Sequence, residues 1–250
     1  MPSLVHCGYH KCLTVFVDRC FMQVLGDRYH RFHGPPDAFY AEHQRYTVSG
    51  ITDHLLDLSR LDDDYRISRF IRDPRDLVVS GYLYHLKAPE AWTTRDVPTL
   101  NAWRATGALP GALRAGESYA ACLQRLDRED GLIAEMEFRG PHFRSMVEWP
   151  TSDPRIRLWK YEDILGREAQ SMDEVGAHYG WADVPSSPSY TLRKGLREEA
   201  VRWHAGAGRL SWDSHVRDPR AGQWRELFTP KVRRAFTERY GDLAQQLGYD

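Results

Sequence analysis

The chain has 250 residues, of which 42% are hydrophobic and 28% charged, a composition typical of a globular protein with a substantial core. A formal net charge of -1 argues against a nucleic-acid-binding surface spread over the whole chain. The sequence shows no signal peptide and no long apolar segment, so we expect a soluble, cytoplasmic protein without a membrane span. The four cysteines lack disulfide-framework spacing, which indicates reduced thiols.

The first third of the sequence alternates between strand and helix patterns. Apolar positions at helical spacing predict a helix over Thr14–Leu25, and Asp73-Pro74 predicts the capped start of a second helix that runs to about Lys87. A helical turn is predicted over residues 55–61, and strands are predicted over residues 3–7, 29–32, 45–51 and 65–72. This alternation is typical of an α/β fold with a P-loop-like, doubly wound parallel sheet flanked by helices in a single domain.

The remainder of the sequence is less regular. Residues 88–116 are rich in Pro, Gly, Thr and Trp and are predicted to form a loop. Helices are predicted over residues 118–136, 169–179 and 232–247, with a strand over residues 156–161. Residues 186–212 are predicted to be irregular with one short helix. We therefore expect one domain over residues 1–250, with residues 88–150 as an insertion that forms a lid and binds an acceptor.

The stretch from Leu4 to Phe16 has the layout of an anion-binding loop. A short apolar strand ends at Gly8, and Lys11 and Thr14 follow just before a helix begins. Backbone N–H groups at such a helix start, together with a lysine, bind phosphate. The second glycine of the Walker pattern is missing, so the sequence does not match a nucleoside triphosphatase. The alternative is a surface turn with one solvated lysine.

Metal binding is another alternative for the same stretch, because histidines and cysteines are close together there. His6, Cys7, His10 and Cys12 do not have the paired spacing of a structural zinc site, and strand alternation places His6 and Cys7 on opposite faces. We therefore predict no metal site.

A second stretch, Arg69 to His85, reads R-F-I-R-D-P-R-D-L-V-V-S-G-Y-L-Y-H. It resembles the sulfotransferases that use 3′-phosphoadenosine 5′-phosphosulfate (PAPS). In that family an arginine at the end of this strand and a serine eight residues later bind the 3′-phosphate, which implies these roles for Arg72 and Ser80. The alternative is that Arg72 and Arg75 pair with Asp73 and Asp76 at the surface.

Through this resemblance the opening loop corresponds to the family's 5′-phosphosulfate loop, usually written close to Y-P-K-S-G-T-T-W. Lys11 and Thr14 match, and the three departures are Cys12 for serine, Leu13 for glycine and Val15 for threonine. Leucine limits how closely the backbone can approach an anion. The resemblance implies that the loop binds the 5′ end of the cofactor through His10, Lys11, Cys12, Leu13, Thr14, Val15 and Phe16, with Phe16 beside the adenine.

Two further stretches are similar to family motifs. The Tyr161-Glu162-Asp163 sequence at a strand end resembles a signature whose tyrosine lies near the adenine. Residues 217–229, R-D-P-R-A-G-Q-W-R-E-L-F-T, resemble the family's R-K-G-x-x-G-x-W-K-x-x-F-T segment, which closes over the 3′-phosphate. This implies cofactor contacts from Arg217, with Arg220 as the second choice, and from Ala221 and Gly222.

For the general base the sequence offers His54, in a G-I-T-D-H-L-L turn similar to the T-H-L-P-like turn of family members that act on small acceptors. A histidine has the near-neutral pKa needed to remove an acceptor proton. The alternatives are that His54 is structural, or that a carboxylate from residues 88–150 serves instead. Lys11 is predicted to stabilise charge on the leaving phosphate oxygen.

The resemblance therefore implies a PAPS-dependent sulfotransferase that acts on a hydroxyl, or as the second choice an amine, of a small molecule, lipid or natural product. The product would be 3′-phosphoadenosine 5′-phosphate (PAP). Neither a metal nor a nucleic-acid partner is predicted, and the oligomeric state stays open. The alternatives are a P-loop kinase-like phosphotransferase, a non-catalytic PAP- or nucleotide-binding protein on the same fold, and a nucleic-acid binder that uses its arginines.

Overall fold

The computed structural model describes residues 2–33, 36–53, 55–88, 90–95, 108–206 and 218–250. Within these ranges there are five strands: β1 Ser3–Gly8, β2 Tyr29–Phe32, β3 Val48–Thr52, β4 Tyr65–Ile71 and β5 Ile156–Lys160. The same ranges contain twelve α-helices: α1 Thr14–Leu25, α2 Pro36–Glu42, α3 Pro74–His85, α4 Ala91–Thr94, α5 Tyr119–Arg125, α6 Arg128–Glu148, α7 Tyr161–Ile164, α8 Glu168–His178, α9 Tyr190–Gly206, α10 Trp224–Leu227, α11 Pro230–Tyr240 and α12 Leu243–Gln246.

The five strands form one parallel sheet in the order β2-β3-β1-β4-β5. Strand β1 lies between β3 and β4, with Val5 opposite both Ser49 and Ile67. In this order the chain moves to one side of β1 for β2 and β3 and to the other side for β4 and β5. The carboxyl end of β1 is therefore at the topological switch point, where α/β sheets bind ligands. The predicted α/β fold class is confirmed.

Chain contacts divide the molecule into two compact units. The sheet unit consists of Met1–Ile71 and Trp149–Arg217, and the helical unit consists of Arg72–Glu148 and Asp218–Asp250. The sheet unit holds all five strands with α1, α2, α7, α8 and α9, and the helical unit holds the other helices. The predicted domain boundaries, including the insertion at residues 88–150, stay a prediction.

Both faces of the sheet are covered by apolar side chains, because successive strand residues point to opposite faces. One cluster joins Leu4 and Phe70 to helices α1, α8 and α9. The other joins Val5 and Ile67 to the α2 side of the sheet through Phe39. The sheet is therefore covered on both faces.

Helices α3 and α6 pack closely in the helical unit because two glycines lack side chains where they meet. A Cβ added to Gly81 would lie 2.1 Å from Oε1 of Glu135, and one added to Gly131 would lie 2.5 Å from the ring of Tyr82. Helix α3 begins as predicted, with the Asp73 carboxylate accepting a hydrogen bond from the Arg75 N–H and with Pro74 in the first turn. No helix in the described ranges is long and apolar enough to cross a membrane.

Several helix predictions were wrong. Residues 118–136 form two helices rather than one, because Leu126 is extended and Asp127 accepts a hydrogen bond from the Asp130 N–H at the start of α6. Helix α6 then continues past residue 136, with Pro141 inside it. Residues 190–206, predicted to be mostly irregular, form the long helix α9. The closing helix breaks at Gly241, whose φ is +56°.

Candidate functional site

The opening loop, residues 9–13, connects β1 at the switch point to helix α1. A hydrogen bond of 2.8 Å from the Cys12 N–H to the Tyr9 carbonyl closes a turn at its start. Lys11 and Leu13 have φ values of +74° and +63°, in the left-handed region that favours glycine. A loop that holds two non-glycine residues in this conformation is strained, and such strain is concentrated at functional sites.

The start of helix α1 presents backbone donors. Its first intrahelical bond is from the Val17 N–H to the Leu13 carbonyl, at 3.0 Å, and the Leu13 side chain cannot cap the helix. In the described part of the chain, the N–H groups of residues 13–16 have no acceptor. Together with the helix dipole they form a site suited to an anion.

Gly8 lets the loop approach the strand beneath it. A Cβ at Gly8 would lie 3.3 Å from Nε2 of His6 and 3.6 Å from Cγ2 of Thr14. The first distance is tighter than an ordinary contact, so a side chain at residue 8 would crowd the His6 imidazole, whereas the second is an ordinary contact. Thr14, in the first turn of α1, thus lies beside the end of β1.

The side chains of the loop differ in exposure. Cys12 and Phe16 are fully buried, whereas Val15 is 38% exposed. Phe16 packs in the core of the sheet unit with its ring 5.6 Å from that of Trp203, and its predicted contact with adenine stays a prediction. His10, Lys11, Leu13 and Thr14 are half-buried.

The end of strand β3 holds the opening loop. Asp53 accepts a hydrogen bond of 2.8 Å from the His10 N–H, and its own N–H donates to the Gly8 carbonyl at 2.9 Å. Asp53 was not among the residues predicted from the sequence. His54, the predicted general base, lies outside the described residues, and its role stays a prediction.

A buried hydrogen-bond chain lies below the loop. The Tyr179 hydroxyl donates to the Val5 carbonyl at 2.9 Å, and it lies 2.7 Å from the Ser68 hydroxyl, which lies 2.9 Å from Nδ1 of His6. Because the tyrosine proton is used by the carbonyl, Ser68 donates to Tyr179, and His6 Nδ1–H donates to Ser68. Nε2 of His6 then carries a lone pair. This atom has no hydrogen-bond partner among the described residues.

Burial and the charge of Arg31 lower the pKa of His6 to about 3. The imidazole is therefore neutral at physiological pH, which agrees with the tautomer that the hydrogen-bond chain requires.

Arg72 and the Gly222 segment meet in the helical unit. Arg72 is 3% exposed and donates to the carbonyl of Arg220 at 3.3 Å. Asp76 joins the two segments: its carboxylate accepts from the N–H groups of Gly222 and Trp224 at 2.6 and 2.9 Å and lies 3.8 Å from Nη2 of Arg72. Two stretches that the resemblance assigns to the 3′-phosphate are thus brought together.

The electrostatics of this cluster combine burial with charge. Burial raises the pKa of Asp76, while Arg72 and the two backbone donors oppose that shift. The alternative in which these arginines pair with aspartates is met in part. Arg75 donates two hydrogen bonds to the Asp73 carboxylate, from Nε at 2.9 Å and from Nη2 at 2.7 Å. The Arg72–Asp76 pair, however, is buried rather than at the surface. The sequence predicted Asp76 only as a possible ion-pair partner of an arginine, and not as an acceptor of backbone hydrogen bonds.

The other predicted cofactor residues occupy varied positions. Ser80 is half-buried on α3, and its hydroxyl has no hydrogen-bond partner in the ranges described. The Arg220 side chain is exposed and pairs with Asp218 at 2.9 Å, and Ala221 is exposed next to Gly222, whose φ is +82°. Tyr161 is buried in the first turn of α7, directly after β5. Arg217 lies outside the described residues.

A buried polar cluster in the helical unit was not predicted from the sequence. Glu135 accepts from Arg139 Nε at 2.9 Å and from the Tyr119 hydroxyl at 2.5 Å, and it lies 2.8 Å from Nδ1 of His85. Burial alone would raise the pKa of Glu135, but the neighbouring His85 and Arg139 and the hydrogen bonds lower it. Phe138 and Phe143, on the same helix, are also buried.

No group of His, Cys, Asp and Glu residues arranged to hold a metal ion is found in the part of the chain that the structure describes. All four cysteines are buried thiols that form no disulfide with one another.

Comparison with known proteins identifies solved structures with the same fold. The crystal structure of mouse sulfotransferase SULT7A1 complexed with PAP matches 98% of this chain and 88% of that chain, with a TM-score of 0.54 and 18% identity. Retinol dehydratase in complex with androsterone and inactive cofactor PAP matches 100% of this chain and 82% of that chain, with a TM-score of 0.50 and 14% identity. No protein-family model and no curated protein matches the sequence. The chain therefore has the fold of these sulfotransferase structures.

Proposed function

We propose that this protein is a sulfotransferase that moves the sulfuryl group of PAPS to an acceptor hydroxyl, or as the second choice an amine, and releases PAP. The observation that carries the proposal is the opening loop, with Lys11 and the donors of α1 at the carboxyl end of β1. The fold shared with a PAP-bound sulfotransferase supports it.

The opening loop is proposed to bind the 5′ end of the donor. The N–H groups of residues 13–16 suit the phosphate oxygens, and Lys11 and the Thr14 hydroxyl add charge and a hydrogen bond. Leu13 adopts the left-handed φ that is easiest for the glycine of the family motif, which supports a functional loop. Because the Cys12 thiol is buried and its N–H donates to the Tyr9 carbonyl, we propose that Cys12 shapes the loop around the anion.

The 3′-phosphate is proposed to bind to Arg72 and Ser80, with further contacts from Arg217 or Arg220 and from the backbone at Ala221. Gly222 is proposed to shape this segment, because its own N–H is held by Asp76. The cluster in which Asp76 holds the Gly222 and Trp224 N–H groups supports this assignment, because it fixes the segment beside Arg72. Phe16 and Tyr161 are proposed to contact the adenine. These assignments rest on the resemblance of their motifs.

In the proposed reaction the acceptor oxygen attacks sulfur in line, and the bond from sulfur to the bridging phosphate oxygen breaks. That oxygen keeps the electron pair, and Lys11 stabilises the resulting negative charge. His54 is proposed to take the acceptor proton, since a neutral imidazole can act as a base near pH 7. We propose that the acceptor is a small molecule, lipid or natural product in the cytoplasm, bound with the help of residues 88–150.

Calorimetric titration with PAP tests the nucleotide specificity. We expect PAP to bind more tightly than 5′-AMP, which lacks the 3′-phosphate, and than ATP with Mg²⁺. Lys11→Gln should weaken PAP binding at least about tenfold, since it removes a charged contact to phosphate. Lys194→Gln is the matched control, because Lys194 is on α9 and pairs with Glu198 at 3.7 Å.

Tighter binding of ATP with Mg²⁺ would contradict the sulfotransferase proposal and favour the kinase-like alternative. Measuring turnover tests a second alternative, a PAP-binding protein without catalytic activity. We expect PAP release from PAPS to depend on an added acceptor in a screen of phenols, sterols and aliphatic alcohols. His54→Ala should lower that rate with little change in the Kd for PAP.

A further inference from the structure

Asp53 makes two connections from the end of β3 to the neighbouring β1 segment. Its backbone N–H donates to the Gly8 carbonyl at 2.9 Å, and its carboxylate accepts from the His10 N–H at 2.8 Å. These bonds lie on the two sides of Tyr9. Asp53 therefore holds the opening loop at the point where the loop leaves β1.

The backbone around these connections is strained. Lys11, Leu13 and Asp53, with φ values of +74°, +63° and +66°, are the non-glycine residues with positive φ in the described ranges. All three lie in the two segments that the Asp53 hydrogen bonds join. Backbone of this kind persists only where its surroundings hold it. The Asp53 carboxylate supplies such support and satisfies the His10 N–H.

We infer that Asp53 is a positioning residue that holds the opening loop in its anion-binding conformation, an inference that rests on the proposed function. The bond to His10 orients the turn from Tyr9 to Cys12, and this turn places Lys11 ahead of the donors of α1. Without the carboxylate, the turn can rotate and withdraw the lysine and the helix start from the 5′ phosphate.

An aspartate suits both features of position 53, the left-handed backbone and the hydrogen bond that the side chain accepts from His10. Aspartate and asparagine tolerate left-handed backbone better than most residues, and both have a side-chain oxygen that accepts a hydrogen bond. Glycine keeps the backbone conformation but has no acceptor. The pair Asp53→Asn and Asp53→Gly therefore separates the hydrogen bond from the backbone conformation, and both variants avoid the strain that alanine would meet at φ +66°.

The experiment compares two ligands by calorimetry. PAP carries the 5′-phosphate, and adenosine 3′-monophosphate lacks it. We expect Asp53→Gly to weaken PAP binding about tenfold and to leave the affinity for adenosine 3′-monophosphate within about twofold, while Asp53→Asn stays within about threefold of the wild type for both. A structural defect would weaken both ligands equally, and that result would overturn the inference.

Hydrogen exchange of the His10 amide, measured by NMR without ligand, gives an independent readout. Exchange should be at least about tenfold faster in Asp53→Gly than in the wild type and in Asp53→Asn. Unchanged exchange, or unchanged PAP affinity in Asp53→Gly, overturns the inference alone. If the wild-type protein does not bind PAP, the proposed function fails, and the role assigned to Asp53 fails with it.

Discussion

Leu13 has a left-handed backbone, a conformation that glycine adopts much more easily than leucine. Its φ of +63° places the Cβ in the position that L-residues disfavour by about 1–2 kcal/mol. The side chain is half-buried beside the core of the sheet unit, which offsets part of that strain through packing. The loop therefore keeps its shape without the residue type that makes the shape easiest.

The strain at Leu13 predicts that glycine is more stable than alanine at this position, the reverse of the order expected at a helical position. Leu13→Gly and Leu13→Ala lose the same packing, but only alanine keeps a strained Cβ, so Leu13→Gly should have the larger free energy of unfolding by about 1 kcal/mol. At Val15, in the first turn of α1, alanine should be favoured over glycine by roughly 0.5–1 kcal/mol. Urea denaturation of the four variants measures both differences. The same order at both positions would contradict a strained Leu13 backbone.

His6 makes the stability of the sheet unit depend on pH. Its pKa is lowered to about 3 in the folded state by burial and by Arg31, whereas an unfolded histidine titrates near 6.5. Between these values the unfolded chain binds more protons, so the free energy of unfolding rises with pH and falls as the solution is acidified below about 6.5. The stabilisation from a neutral His6 is fully present above that pH.

The expected change is large enough to measure. From pH 7 to pH 5, the wild type should lose roughly 2 kcal/mol more unfolding free energy than His6→Asn, which cannot become charged but can still donate to Ser68. Urea denaturation at the two pH values gives the comparison, and the other histidines affect both proteins equally. Equal losses would show that His6 does not remain neutral in the folded protein.

At the scale of elements, the contact between α3 and α6 depends on the absence of a side chain at Gly81. A Cβ there would lie 2.1 Å from Oε1 of Glu135, which is hydrogen-bonded to Arg139 and Tyr119. Glu135 cannot move away without breaking those bonds, and a buried Arg139 without its partner is strongly unfavourable.

Gly81→Ala should therefore lower the free energy of unfolding by about 2–3 kcal/mol. Gly111→Ala is the control, because Gly111 lies in a turn and a Cβ there would lie 3.7 Å from Oε2 of Glu137, an ordinary contact distance. The control should change the free energy of unfolding by less than about 1 kcal/mol. Chemical denaturation of both variants measures the two changes in the free energy of unfolding. Equal changes would contradict a close approach of Glu135 to Gly81.

The elements that were predicted well from the sequence are those with a local signal. Helix α1 and strand β2 have the predicted bounds because their apolar spacing and the following breaks are regular. Helix α9 was predicted only in part because its buried apolar residues, Leu196 and Ala200, are separated by charged side chains. Gly195, which interrupts the pattern, lies against Val24 of α1, and its Cβ would be 3.1 Å away. Only tertiary packing makes that segment helical.

The residues of the candidate site also fall into two groups, those predicted from sequence motifs and those whose contacts depend on the fold. Lys11, Arg72 and Gly222 carry sequence signals of their own, so the sequence predicts them as cofactor residues, and those roles stay predictions. Asp53 and Asp76 act by accepting hydrogen bonds from backbone that is distant in sequence, 43 residues away for His10 and 146 for Gly222. Such partners depend on the fold. A possible signal for Asp53 was an aspartate at a strand end directly before the candidate base.

At the scale of the whole molecule, ligand binding links the nucleotide to the stability of the chain. A ligand that binds only the folded chain stabilises it by about 2.7 kcal/mol at 100 times its Kd. For a chain of this size each kcal/mol corresponds to a shift in Tm of about 2–4 °C.

PAP at 100 times its Kd should therefore raise the Tm by about 5–11 °C in scanning calorimetry. At the same nucleotide concentration, 5′-AMP and ATP with Mg²⁺ should give smaller shifts, because the first lacks the 3′-phosphate and the second places its phosphates elsewhere. Lys11→Gln should reduce the PAP shift by about 3–5 °C, which corresponds to a tenfold weaker Kd. Equal shifts with PAP and 5′-AMP would mean that the 3′-phosphate is not recognised, and the roles of Arg72 and Ser80 would fall.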